Sequence, residues 1–173
     1  MARRRPSRVP RGGATSQLRR LADRAEITDT VLRFARAMDT QDWTLLRDCL
    51  LDTVEVDYSD LRGDPPARMS AEEYVAGRVT GLGGLRTQHI SSNHLVRIDG
   101  VRAECTSSFL IHRLDPSRPP GGNAFDSAGH YVHRLRRTAR GWRIEGIVQT
   151  VLWSRGNPEI HGALRRRRRG EQT

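Results

Sequence analysis

The chain contains no lysine, and all 30 of its basic residues are arginine, so no mechanism that forms a Schiff base on a lysine amine is open to it. Cysteine is nearly absent too. Cys49 and Cys105 stand alone, without a CxxC pair, which leaves neither a disulfide framework nor a zinc site. Both read as small buried hydrophobes. No segment reaches the ~18 apolar residues of a membrane span. No apolar stretch of ~7 to 15 residues follows the basic start, as a signal peptide would need, and a cytoplasmic protein is expected. HExxH, GxSxG, P-loop and GxGxxG patterns are missing, so metal, serine-hydrolase and nucleotide chemistry lack support, and no metal is expected.

What is abundant is positive charge, a formal +10 over 173 residues. Its location matters more than its total. Residues 1–20 hold seven Arg and no acid, and 165–173 hold five Arg and one Glu. The remainder carries 18 basic and 19 acidic residues, a net of −1. A nucleic-acid reader concentrates positive potential on a structured face, whereas here it lies in Pro/Gly-containing or repetitive ends that bury little apolar surface. We expect basic disordered tails at 1–16 and 161–173, one domain at 17–160, and no specific nucleic-acid partner.

Ile27, Val31, Phe34, Ala35 and Met38 recur on one stripe of a helix spanning Ser16 to Met38. "DWTLLRDCLL" reads as a short second helix with Asp42 as its cap. "TVEVDYS" alternates as a half-buried strand. Ser70 and Glu73 form a capping-box signature for a third helix after the loop "DLRGDPPARM". Two long hairpins complete the chain: "TQHISSNHLVRI" with "VRAECTSSFLIHRL", and "GHYVHRLRRT" with "WRIEGIVQTVLW". Helices first and then an antiparallel meander argue an α+β fold, with the helices on one face of a curved sheet.

Asp39 interrupts the apolar stripe of the first helix. Two readings are open, a carboxylate aimed inward or a helix-end Asp that turns out to cap "TQDW"; an inward carboxylate needs a partner. Alternation puts His89, Ser91, Asn93 and Leu95 on one strand face, and Ile90, Ser92, His94, Val96 and Ile98 on the other. Pairing around Asp99-Gly100 sets His89 roughly opposite Leu110 and His112 one diagonal step away, about 7 Å or less between side-chain origins. Two imidazoles near a carboxylate form a candidate site. His130 and His133 fall on opposite faces of a later strand, and His161 lies in the C-terminal loop.

Together "RAEITDTVLRFARAMDTQDWTLLRDCL", "TQHISSNHLVRIDGVRAECTSSFLIHRL" and "GHYVHRLRRTARGWRIEGIVQTVLWSRGNP" resemble the SnoaL-like branch of the nuclear transport factor 2-like superfamily, over roughly Leu21 to Pro158. The resemblance implies a cone-shaped barrel, a strongly bent, mostly antiparallel sheet wrapped by N-terminal helices around a deep pocket. In its scytalone dehydratase-like and bile acid dehydratase-like members a helix-end Asp pairs with a strand His, here Asp39 and His89. Matching positions make Tyr58 and His112 substrate-binding, joined as candidates by Phe34, Asn93 and Tyr131. Phe34 stands where one dehydratase has a pocket Tyr, and it has no proton to donate. The implied activity is cofactor-independent acid/base chemistry (dehydratase, isomerase or cyclase) on a hydroxylated, carbonyl-bearing small molecule, polyketide- or steroid-like, by a homodimer. An epoxide hydrolase or cyclase, or a non-catalytic ligand-binding or subunit-type module, are the alternatives, since the same cone hosts all of these.

Overall fold

A computed structural model describes residues 11–161 of the chain. The long helix α1 (Arg11–Thr40) is followed by the short α2 (Trp43–Asp48), strand β1 (Leu50–Asp57) and one turn of helix, α3 (Ser59–Arg62). Strand β2 (Ala67–Ser70) and helix α4 (Ala71–Leu82) precede four long strands, β3 (Arg86–Asp99), β4 (Arg102–Leu114), β5 (Ala124–Thr138) and β6 (Gly141–Gly156). Helix α1 thus begins inside the stretch read as an N-terminal tail. The rest of that tail, 1–10, and residues 162–173 lie outside the described residues. The loop read between β1 and α4 contains α3 and β2 as well.

The helices start where their sequences provide for it. The Asp42 side chain accepts a hydrogen bond from the Leu45 N–H at 2.9 Å and caps α2. Ser70 and Glu73 close a reciprocal capping box on α4, with the Glu73 N–H donating to Ser70 Oγ at 3.1 Å and the Ser70 N–H to Glu73 Oε2 at 2.8 Å. Each such cap is worth about 1 kcal/mol.

Helix α1 buries Ile27, Val31, Phe34, Ala37 and Met38 against the sheet, each large side chain contributing roughly 1.5–3 kcal/mol. Its other anchor is polar. The Trp142 N–H donates to Glu26 Oε1 at 2.9 Å, its indole N–H reaches Asp23 at 3.4 Å, and Arg137 pairs with Asp23. These bonds fix α1 across the β5–β6 turn, with its C-terminal end directed at β3.

One six-stranded sheet has the order β2-β1-β6-β5-β4-β3, with every neighbouring pair antiparallel except β1 and β6. Register shifts between Ser92 and Leu95 in β3, and opposite Ala128/Gly129 and Arg134/Leu135 in β5–β6, bend it, as bulges do by adding an unpaired residue to one strand. At Gly129 a side chain would collide with the Thr150 carbonyl, so the bend there requires glycine. The concave side holds the core, including Cys49 and Cys105, both buried and both with thiol pKa values pushed up to about 11 by burial. Among the described residues no helix is long and apolar enough to cross a membrane.

Candidate active site

Asp39 turns inward. Its Oδ2 accepts the His89 backbone N–H at 2.8 Å, and its Oδ1 accepts the Thr87 hydroxyl at 3.0 Å and His89 Nδ1–H at 2.5 Å. Thr87 and His89 are alternate residues on the inner face of β3, so one carboxylate at the end of α1 reaches both. Asp42 supplies the cap of α2, which leaves Asp39 free for this role.

Burial raises the Asp39 pKa, but the hydrogen bonds from His89 and Thr87 outweigh it and hold the carboxyl below its ordinary range. For His89 burial is the largest influence and lowers the pKa; Asp39 opposes it, and the charges of Arg113 and Arg78 add to the lowering. An ionised Asp39 beside a neutral imidazole fixes the proton on Nδ1. The Nε2 lone pair is then the ring's basic site.

His112 and Asn93 do not join this pair. The hairpin turn uses Gly100 and Val101, pairing Asp99 with Arg102, and a bulge at Asn93–His94 then shifts the pairing by one residue. Above the bulge His89 stands opposite Ile111, and Gln88 opposite His112. A one-residue slip moves a side chain to the other face. His112 therefore lies on the outer face, 44% exposed, with Nδ1 2.9 Å from Asp126. Asn93 takes the left-handed bulge position (φ 55°) and donates to Ser108 on the outer face at 3.2 Å. Beyond the bulge the faces exchange, so His94, expected opposite to His89, shares its face and meets Ser91 Oγ at 2.9 Å.

The same slip turns Arg113 inward, opposite Thr87, where it is 4% exposed. It donates to Ser127 at 3.0 Å, but its Nε has no partner. Arg113 borders a cavity of about 240 Å³ with Arg62, Arg78, Tyr58, Tyr74 and Leu82. Tyr74 and Arg78 are one helical turn apart on α4 and point the same way. The Arg78 guanidinium lies 4.5 Å from the Tyr74 ring centre and 4.8 Å from that of Tyr58, and Arg62 lies 4.6 Å from the latter. Burial, with the charges of Arg78 and Arg62, lowers the Arg113 pKa to about 10. Asp39 and His89 do not border the cavity themselves; Arg113, which does, stands opposite Thr87 on the neighbouring strand.

Of the other expected residues, Tyr58 is buried with its hydroxyl 2.8 Å from that of Tyr74. Phe34 packs edge-on against His133, ring centres 5.5 Å apart. Tyr131 packs at a tilt against Phe109, ring centres 4.7 Å apart, and accepts from Gln149 at 2.6 Å. His133 is buried with neither ring nitrogen hydrogen-bonded. Sequence reasoning passed over His133, Tyr74 and the three arginines. For Arg113 the signal was present: the polar His89/Ser91 pair and the apolar Val96/Ile98 pair fall on one inner face only if an extra residue lies between them. Among the described residues no three His, Cys, Asp or Glu side chains are grouped to hold a metal ion. A larger hollow elsewhere, of about 610 Å³, is lined by charges that pair with one another, Arg134 with Glu55 at 2.8 Å and Arg136 with Glu145 at 2.5 Å.

A bent six-stranded sheet closed by N-terminal helices is the cone-shaped nuclear transport factor 2-like fold. The chain belongs to the SnoaL-like domain family, which matches residues 19–147. It is similar to a scytalone dehydratase of Colletotrichum orbiculare, 26% identical over 139 residues that cover 72% of this chain and 70% of that one. A protein of Kribbella flavida superimposes with a TM-score of 0.77 at 27% identity, over 80% of this chain and 96% of that one. A nuclear transport factor 2-like protein of Novosphingobium aromaticivorans gives 0.65 at 19% identity, over 84% and 92%.

Proposed function

We propose that the protein is a cofactor-independent lyase or isomerase, a dehydratase in the favoured case, acting on a hydroxylated, carbonyl-bearing small molecule. The observation that carries this reading is the 2.5 Å bond between Asp39 and His89 Nδ1, which sets up Nε2 as a base. The similarity to a scytalone dehydratase supports dehydration over the other reactions of this class.

His89 Nε2 takes the proton from the carbon next to the carbonyl, and the electron pair moves to the carbonyl oxygen. Asp39 stabilises the imidazolium and holds the ring in place, an arrangement worth about 10²- to 10⁴-fold in rate. The enolate then re-forms the carbonyl while the C–O bond to the β-hydroxyl breaks, and that oxygen leaves with the His89 proton as water. Tyr58, whose hydroxyl lies 2.8 Å from that of Tyr74, is an interior donor available to a developing oxyanion. Without a β-hydroxyl, return of the proton to another carbon gives isomerisation.

Either outcome from a β-hydroxyketone or a β,γ-enone produces a conjugated enone, so a panel of cyclic substrates is assayed by enone absorbance. Asp39→Asn and His89→Ala are each expected to lower kcat/KM by about 10²-fold or more with circular dichroism unchanged. The acidic limb of the wild-type profile should fall below the ordinary imidazole value of 6.5, because the His89 pKa is lowered. Turnover retained in both variants sinks the proposal.

A further inference from the structure

The three arginines form a feature that the acid/base step does not require. Arg78 and Arg113 make no ion pair among the described residues, and each has an Nε without a hydrogen-bond partner. Of the carboxylates only Glu73 borders the same cavity, and the capping box holds it on Ser70. Keeping guanidinium groups together inside a protein is costly unless a negative charge joins them. Elsewhere the fold pairs its arginines readily, Arg47 with Asp52 and Glu72, both at 2.7 Å, and Arg155 with Asp126 at 3.0 Å. Arg78 and Arg113 have no such pair among the described residues.

Size and lining narrow what fits. About 240 Å³ holds a group larger than an inorganic ion, and Val56, Met69, Leu82 and Leu85 give it apolar wall. Tyr58 and Tyr74 add two hydroxyls, 2.8 Å apart. Arginine forks match the planar, two-oxygen geometry of a carboxylate.

We propose that Arg78, Arg113 and Arg62, with the Tyr58 and Tyr74 hydroxyls, form an anion subsite that binds the carboxylate or phosphate of a cyclic organic substrate. The inference rests on the proposed catalytic reading only in taking that anion to be part of the molecule on which His89 acts. A carboxylate held there is anchored near the acid/base pair, because Arg113 is two residues along the inner face of β4 from Ile111, the cross-strand partner of His89.

The test is a binding experiment with the full chain, and it needs no turnover. Benzoate, phenyl phosphate, inorganic phosphate and the neutral benzamide are titrated by calorimetry and by melting temperature. Benzoate or phenyl phosphate should bind and raise Tm, whereas benzamide and inorganic phosphate should not; whichever organic anion binds more tightly identifies the headgroup. Arg113→Met and Arg78→Met should each weaken that binding by at least about tenfold, the loss of a charge-assisted hydrogen bond, and Arg113→Lys should recover part of it. A ligand-poised arginine also predicts that Arg113→Met keeps or raises the ligand-free Tm, whereas a structural arginine predicts a fall. Asp39→Asn should bind benzoate like the wild type, so a failed catalytic reading is distinguishable from a failed subsite. Equal binding of benzamide and benzoate, binding unchanged in both methionine variants, or no binding of either organic anion overturns the subsite.

Discussion

His133 is 2% exposed, lies 5.5 Å from Phe34 and 5.1 Å from Tyr131 between ring centres, and hydrogen-bonds through neither nitrogen. Burial pushes its pKa down to about 3 from an ordinary 6.5, with the charge of His94 as a smaller influence in the same direction. Between those values the unfolded chain binds a proton that the folded one refuses, so stability is fully present above about pH 6.5 and is lost as pH falls toward 3, by up to about 1.4 kcal/mol per pH unit. His89, also lowered, adds to the slope. His133→Phe, which keeps the ring and removes the unpaired nitrogens, should flatten the dependence. Urea midpoints at about pH 7.5 and about pH 5 measure it, and a slope equal to the wild type's contradicts the assignment. The same variant should be at least as stable at the higher pH, since no buried nitrogen is left without a partner.

At the scale of the element, the bulge in β3 determines which side chains enter the site. Helix α1, the caps of α2 and α4 and both hairpins were legible in the sequence because each is written in local periodicity or in a turn and cap signature. Asp39 with His89 was legible as a pair only once the family resemblance joined two segments that are far apart in the chain. The register of β3 against β4 was not, because "SSNH" has no apolar residue to mark a face and one extra residue there exchanges the faces beyond it. Without the bulge, the 99–102 pairing would carry His89 directly opposite His112; with it, Arg113 comes inside instead. Asn93 holds the position at φ 55°, a region that costs a residue with a β-carbon about 1–2 kcal/mol and that asparagine tolerates better than most. Asn93→Val should therefore cost about 1–2 kcal/mol in urea unfolding, and Asn93→Gly should be close to neutral. If the bulge positions His89, the valine variant should also lose turnover while the glycine variant keeps it. Equal stability of the two would show that the left-handed residue is not what holds the register.

Over the whole molecule, the concave side of the sheet is occupied by helices and site, while its outer side shows apolar rows. Ile90, Leu110, Ala128 and Trp153 are cross-strand neighbours over four strands, and Leu95, Thr106, Val132 and Val148 form a second row beyond a polar one. Ile90 is 43%, Trp153 48% and Leu95 68% exposed. Large contiguous apolar patches on a folded surface mark interaction sites. A second copy of the chain is the proposed occupant: a two-fold axis through the polar row Ser92, Ser108, His130 and Thr150 would let the two apolar rows meet each other, as an isologous interface requires. The polar flank of His112, Asp126 and Arg155 would then form its rim. Trp153→Asp places a charge at the end of one row, on the face away from Asp39 and His89. Sedimentation should give twice the chain mass for the wild type and a shift toward one chain for the variant, with turnover per chain retained at concentrations where both are folded. A wild type that sediments as a single chain at every concentration sinks the dimer. A variant that loses mass and turnover together would instead mean that the second copy supports the site across the sheet.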